Sequence, residues 1–437
     1  VYGLFRHWRF DSSAYDLGIF DQAVWHLSRF EAPSSTVRGF SSLLGDHFSP
    51  ILAVLAPLYW LAPGPETLIV AQAALLGASI VPVWIYVRRR LPRGAAGALA
   101  AAYALFWGMQ RAAAFDFHEV AFAPVIVATA ILAIEEERWR LFWAMATLLI
   151  VTKEDLIPLV GGFGLLLAWR GQVRQAVPAI ALSGVAFLLV VGYVIPAMSD
   201  SGQFGYTSAY SGVMRSPWRI PLVLVTPTVK LRTTLLLFAP FLFLPLLSPL
   251  AILVAPLAVE RFLSSSPNHW GTVFHYWAPI APVLAMGAAD GLARLTTFIR
   301  ARWSEHAATG IVAACLATCV LASAILPGHQ PLWRLFRVDH YRVADVRRVG
   351  ETVIALIPPG AAVVAQAAIV PHLSNRDRLF VLDANAPDAE YVVATDRLDP
   401  WPLESIDQLR LLVEARRTRG YRAIFEQDGW VVLRRVE

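Results

Sequence analysis

Residues 68–87 read LIVAQAALLGASIVPVWIYV, twenty positions without a charge, and Arg88, Arg89 and Arg90 close the run. At 1.5 Å per residue a helix over this stretch is about 30 Å long, the thickness of a bilayer's hydrocarbon core. The run therefore reads as a membrane-spanning helix, and its basic end marks the cytoplasmic side. Similar runs recur through the 437 residues, which are 57% hydrophobic and only 16% charged. Soluble domains carry about 25% charged residues, so a soluble globular class is excluded. Ten spans are predicted, over roughly 66–87, 94–110, 119–134, 139–152, 155–169, 176–196, 232–247, 249–263, 276–296 and 307–326. The opening VYGLF is expected to be the end of a first span that is cut short.

Arginine sets the orientation. Arg88 to Arg90 with Arg93, then Arg138 and Arg140, Arg170 and Arg174, and Arg300 and Arg302 all fall on one side if each span crosses. Basic residues collect in cytoplasmic loops. Residues 1–65, the loops 197–231 and 264–275, and everything after 327 are then outside. The net charge of +5 follows from these loops and from the C-terminal segment and implies no nucleic-acid partner. Cys315 and Cys319 share one helix face at i, i+4 and read as small packing residues.

Three regions result. Residues 1–65 hold the end of the first span and an external loop with interfacial helices. The multi-span domain covers 66–326, and 327–437 form an extracytoplasmic α/β domain. In the first region, 51–62 (ILAVLAPLYWLA) is too short to span and reads as re-entrant or interfacial. Asp16 is placed to cap a helix starting at Leu17. Leu17, Ile19, Phe20, Ala23, Val24 and Leu27 share one arc of that helix, opposite Asp21, Gln22, Trp25 and His26. This predicts an amphipathic helix on the membrane surface. In the third region 361–366, 378–383 and 390–395 read as strands and 404–420 as a helix. YRAIFEQDGWVVLRR reads as a hairpin turning on Asp428-Gly429. About 100 residues suffice for a modest core of their own.

Five polar groups lie on the external side, each beside an apolar run. They are Asp16, Asp21 and Gln22; Asp46 and His47; Asp116, His118 and Glu119; Lys153, Glu154 and Asp155; and His269, His275 and Tyr276. Singly, each suits an ordinary polar loop. Lys153-Glu154-Asp155 stands out because the flanking apolar runs have about 14 residues, or ~21 Å as helix. That falls short of the hydrocarbon core, so these charges are expected below the membrane surface in a polar cavity. His and carboxylate groups suit a divalent metal, but no HExxH or CxxC spacing singles out a ligand set. Walker A, GxGxxG and GxSxG sequences are also missing.

Taken in order, YDLGIFDQAVW (15–25), HFSPILAVLAPLYWLAPGPETLIVAQA (47–73), FHE (117–119), KED (153–155), HYWAPIAPVLA (275–285) and VPHLSNR (370–376) resemble a bacterial and archaeal family of polytopic "predicted membrane proteins". That domain-of-unknown-function family in turn looks like the GT-C class of glycosyltransferases, which take sugar from a polyprenyl-phosphate donor. GT-C enzymes place an acidic residue in the first external loop. Asp16 matches that place, and Asp21 is the second candidate. His47 ahead of Pro50 resembles the His-Pro element of protein mannosyltransferases. The chain departs from the class in having no Asp-Asp or Asp-Glu pair, which leaves the base open between these residues and Glu154 or Asp155.

The resemblance implies an inverting transfer on the outer side of the membrane, to an envelope glycan, lipid or protein acceptor. Lys153, Arg261, His275 and Tyr276 would meet the leaving phosphate. Gln22, His47, His118 and Glu119 would help bind substrate, and His372 and Arg376 would face the site from the C-terminal domain. Two rival readings remain. One is a transporter or flippase of a lipid-linked substrate, which calls for polar residues through the midplane. The other is a non-catalytic envelope scaffold. The arginine pattern places residues 328–437 outside the cytoplasm. A reporter active only in the cytoplasm, fused at Glu437, should be silent in intact cells; a bright signal would reverse the orientation.

Overall fold

Proline and glycine decide where the apolar runs become helix and where they break. The computed structural model describes residues 1–342 and 344–436. Among the described residues, three helices are long and apolar enough to cross a membrane: Pro65–Arg88, Val173–Met198 and Glu305–Ile325. A fourth would be the pair Pro217–Val225 and Val229–Phe241, bent by 61° at its break. Trp139–Thr152 is a single shorter helix, and most of the other expected spans are assembled from pieces.

Three of them share one construction. A 3₁₀ turn leads into an α-helix: Glu119–Phe122 into Ala123–Glu135, Glu154–Leu156 into Ile157–Trp169, and His275–Ile280 into Ala281–Arg300. Pro124, Pro158 and Pro282 sit in the first turns of these helices. Proline is tolerated there because the first-turn N–H groups have no intrahelical acceptor.

The expected span 232–247 is not one helix. After Val229–Phe238 the chain passes through 3₁₀ turns at Ala239–Phe241 and Leu244–Leu247, with Leu242 and Phe243 left-handed. Pro240 and Pro245 each remove a helical donor. The broken segment then crosses Ala281–Arg300 at Gly287 and Gly291. A Cβ on Gly291 would lie 2.1 Å from the Leu244 carbonyl oxygen, so only glycine admits this crossing. The loop 197–231, expected as an external connection, also carries the apolar helix Ile220–Val225. Close helix approach recurs at Gly164, whose Cβ would meet Ile180 at 2.6 Å.

Away from the 3₁₀ turns, the opposite ends of the same helices are tied by charge. Asp290 accepts from Tyr86 at 2.9 Å, from Ser248 at 2.6 Å and from the Arg90 guanidinium. Arg90 also reaches Glu135 at 2.7 Å, and Arg170 reaches the same carboxylate at 2.6 Å.

The C-terminal sheet has strands β1 (Val363–Ala365), β2 (Leu379–Val381), β3 (Tyr391–Thr395), β4 (Tyr421–Gln427) and β5 (Trp430–Arg435). Their order is β2-β1-β3-β5-β4. β1 is parallel to β2 and β3, while β5 is antiparallel to both β3 and β4. Asp428 and Gly429 have positive φ, as a two-residue hairpin turn requires. Side chains alternate between two buried faces. Val364, Val392, Ala394 and Leu433 pack on Leu409 and Val413 of the helix Ile406–Thr418. Val363, Ala365, Val393, Trp430 and Val432 join the core of the membrane domain. One face thus packs a small core within the segment, and the other joins the core of the rest of the chain.

That union also corrects the reading of residues 11–30. The helix Ile19–Ser28 does not lie with its polar face in water: Asp21, Gln22 and His26 are buried. The Gln22 amide donates to the Arg376 carbonyl at 2.7 Å, and the Ser374 hydroxyl donates to Asp21 at 2.6 Å. Fixed donors and acceptors from the C-terminal segment replace water, so the polar face can be buried without loss. Nor does Asp16 cap this helix; the Ser13 hydroxyl accepts from the Tyr15 N–H at 3.4 Å.

Asp290→Ala should lower stability by roughly 2–3 kcal/mol, because three donors lose a charged acceptor and Arg90 loses half its compensation. Glu136→Ala, whose partner Arg89 is exposed, should cost about 0–1 kcal/mol. Thermal unfolding in detergent compares them; equal shifts would mean that the Asp290 network adds nothing beyond a surface ion pair.

Candidate active site

The three 3₁₀ turns bring their polar residues to one end of the helix bundle. Gln72, buried in the first long helix, positions the FDFHE loop: its amide donates to the Ala112 carbonyl at 3.0 Å and its oxygen accepts from the His118 N–H at 3.0 Å. Glu119 is fully buried and takes Lys153 at 2.9 Å and the His118 ring at 2.8 Å. His118 in turn lies 3.9 Å, ring to ring, from His275. Charge in an apolar bundle persists only when paired, and Lys153–Glu119 is such a pair.

The first loop closes over this core. His47 meets Glu154 at 2.6 Å, and the Phe48 N–H donates to the other Glu154 oxygen at 2.9 Å. Tyr206 stacks on His47 with ring centres 4.8 Å apart. Burial and Lys153 oppose a charged His47, but Glu154 and Asp46 outweigh them and raise its pKa. Asp116 anchors the start of the loop, accepting from Arg6 and from the Ser13 N–H, both at 2.9 Å.

A second layer contains Arg261, buried with Asp155 at 3.5 Å and Glu260 at 3.8 Å. Its guanidinium lies 5.3 Å from the Tyr276 ring centre. The Tyr210 hydroxyl donates to Glu260. Arg261 Nε and Nη1, both ring nitrogens of His275 and Asp155 Oδ1 are buried without hydrogen-bond partners among the described residues. Such groups cost free energy unless something else satisfies them. Two guanidinium N–H groups and the single N–H of a neutral imidazole suit an oxyanion.

Asp16 differs from every other carboxylate here. Partly exposed, it makes no side-chain hydrogen bond or ion pair among the described residues, yet it feels the charges of Asp116, Glu119, Lys153 and His47. Burial first, then Asp116 and Glu119, push its pKa up to about 7. An uncommitted carboxylate with a pKa near neutrality is the form a general base takes.

Asp16, His47, His118, Glu119, Lys153, Glu154, Asp155, Arg261, His275 and Tyr276 thus share one cluster. Asp21, Gln22, His372 and Arg376 do not join it. Asp21 is held between Ser374 and the Tyr59 hydroxyl, and Gln22 spans Ser35, Thr36 and Arg376. His372 is stacked between His7 and Phe10 at 4.0 and 3.8 Å, and Arg376 donates to the carbonyls of Leu373 and Ala361. These four fasten the C-terminal segment to the first loop. Gln72, Tyr206, Tyr210 and Glu260 are the residues sequence reasoning missed. A lone Gln inside an apolar run was the available signal for the first. Among the described residues, the group with metal-ligand spacing is His26, Glu31 and Asp377, outside this cluster; Arg29 already pairs with both of its carboxylates.

The chain matches the family described as "Predicted membrane protein (DUF2079)" over residues 6–432, and it belongs to that family. Its fold is shared with ArnT from Cupriavidus metallidurans. The apo structure of ArnT is 13% identical with a TM-score of 0.55, and the match covers 99% of this chain and 96% of that one. The structure of ArnT bound to undecaprenyl phosphate is also 13% identical, with a TM-score of 0.54 and coverage of 99% and 98%. No curated protein matches the chain in sequence. The likeness establishes a polytopic membrane fold.

Burial holds the Asp21 pKa up at about 7, against the pull of the Ser374 and Tyr59 hydroxyls. The folded protein therefore keeps this proton to higher pH than the unfolded chain, whose carboxyl titrates near 4. The Asp21 contribution to stability is full below about pH 4 and declines as pH rises towards 7. Asp21→Asn should gain on the wild type across that window and level off above it. Unfolding midpoints from pH 4 to 8 measure this, and a pH-independent difference would count against it.

Proposed function

We propose that this protein is a membrane glycosyltransferase that moves a sugar from a polyprenyl-phosphate donor to an acceptor hydroxyl on the outer side of the membrane. The observation that carries the reading is the uncommitted Asp16 carboxylate beside the buried cations Lys153 and Arg261 in a GT-C-like fold. Asp16 takes the proton from the acceptor hydroxyl as that oxygen attacks the anomeric carbon. The bond from that carbon to the phosphate oxygen breaks, and the polyprenyl phosphate leaves with its electron pair. One displacement inverts the anomeric centre.

Lys153 and the free N–H groups of Arg261 meet the charge that develops on the phosphate, with His275 and Tyr276 beside them. The N-termini of Ile157–Trp169 and Ala281–Arg300 point to the same end and favour an anion. Glu119, Glu154 and Asp155 hold these cations in place. ArnT bound to undecaprenyl phosphate supports a polyprenyl lipid as the donor's carrier. The Asp290 network speaks against a flippase, since it ties the bundle together at the end away from the cluster.

Asp16→Asn keeps size and removes proton-accepting capacity. Transfer from a polyprenyl-phosphate sugar in membranes should fall by roughly 10²–10⁴-fold with insertion unchanged. Asp21→Asn should stay within a few-fold of wild type. Full transfer by Asp16→Asn would remove Asp16 as the base and move the role to Asp155.

A further inference from the structure

One residue before Asp16, the structure builds a rim that the transfer chemistry does not use. The Tyr15 and Trp401 rings meet edge to face, 5.3 Å apart at 79°. Trp401 is 52% exposed, although large aromatic side chains ordinarily bury their faces. Its position is nevertheless fixed. The Trp401 N–H donates to the Asp399 carboxylate at 2.9 Å. The buried Gln366 amide donates to the Asp399 carbonyl at 2.9 Å and accepts from the Thr395 N–H at 3.0 Å. Opposite, the Ala14 N–H donates to the Ala367 carbonyl at 2.8 Å, joining the two sides of the rim.

Arg38 completes it. The guanidinium stands 5.8 Å from the Tyr15 ring centre and 5.4 Å from that of Phe40. It is exposed and makes no hydrogen bond or ion pair among the described residues. The rim thus offers a rigid, half-open aromatic face, a free five-donor fork and the exposed carboxylate of Asp399. A pyranose ring has the matching surfaces, an apolar C–H face for the indole and an edge of hydroxyls for the charged groups. An acyl chain would leave the charged edge unsatisfied.

We infer that Tyr15, Trp401 and Arg38 form an acceptor subsite for a saccharide, so that the hydroxyl presented to Asp16 belongs to a growing glycan. The inference rests on the glycosyltransferase reading, but its test does not. Full-length protein in lipid nanodiscs is mixed with tetrasaccharides of mannose, glucose and galactose, one glucuronate-containing tetrasaccharide and a Ser/Thr-rich peptide, and binding is read by saturation-transfer NMR. Wild type and Asp16→Asn should both bind at least one tetrasaccharide. Trp401→Ala should weaken that binding about three- to tenfold, the scale of one aromatic contact, and Trp401→Phe should recover most of it. Equal binding by Trp401→Ala, or binding of the peptide alone, would overturn the proposal. Asp16-dependent transfer without saccharide binding would sink this subsite and leave the enzyme standing. Trp401-dependent binding without any transfer would do the reverse.

Discussion

A charged group placed inside an apolar helix bundle must find its countercharge at a fixed distance, and the Lys153–Glu119 pair at 2.9 Å is where this chain meets that demand. Leaving either partner alone in such surroundings costs several kcal/mol. The pair therefore fixes where the FHE and KED turns stop relative to each other. His118 follows because Glu119 takes it as a second partner, and His275 follows because it packs on His118. His47 docks on Glu154, the residue beside Lys153, and brings the first loop down onto the bundle. Arg261 is held one residue further on, by Asp155.

Convergence comes from a repeated piece of backbone. The FHE, KED and HYW groups each stand at a 3₁₀ turn, and proline then opens the helix that carries the chain away. A 3₁₀ turn rises about 2.0 Å per residue against 1.5 Å in an α-helix, so a short one spans depth quickly while keeping its side chains at the helix mouth. The result is a bundle with two chemically distinct ends. One is an Arg–Glu–Asp belt whose members are mutually satisfied; the other is a His, Lys and carboxylate cluster with several atoms left unpartnered.

Much of this was legible in the sequence, for definite reasons. Hydropathy marked the apolar segments because each is long relative to the polar loops around it. The period-2 runs and Asp428-Gly429 marked the strands and hairpin, since alternation and turn chemistry are local. Lys153-Glu154-Asp155 stood out because the flanking runs are too short to lift those charges out of the membrane. The break at 239–247 was missed, although Pro240 and Pro245 announce it, because hydropathy does not register lost hydrogen bonds. The roles of Asp21, Gln22 and His372 could not be read, because each has a partner, Ser374, Arg376 or His7, more than 300 positions away. A polar helix face looks the same in sequence whether it meets water or a distant carbonyl. Asp16 and Asp21 are alike to a motif; only the packing of Ser374 and Tyr59 against one and not the other separates them.

The backbone bond from Ala14 to Ala367 has a consequence for how the molecule is made. The ribosome delivers about 5–20 residues per second, so the first loop waits roughly 20–70 s for the strand that completes it. During that interval Asp21 and Gln22 have no Ser374 or Arg376 to meet, and the polar face of Ile19–Ser28 depends on water. The first loop is thus made long before it reaches its final surroundings. A chain that ends short of the sheet would keep its spanning helices and still lack the backbone partner of Ala14, two residues before Asp16.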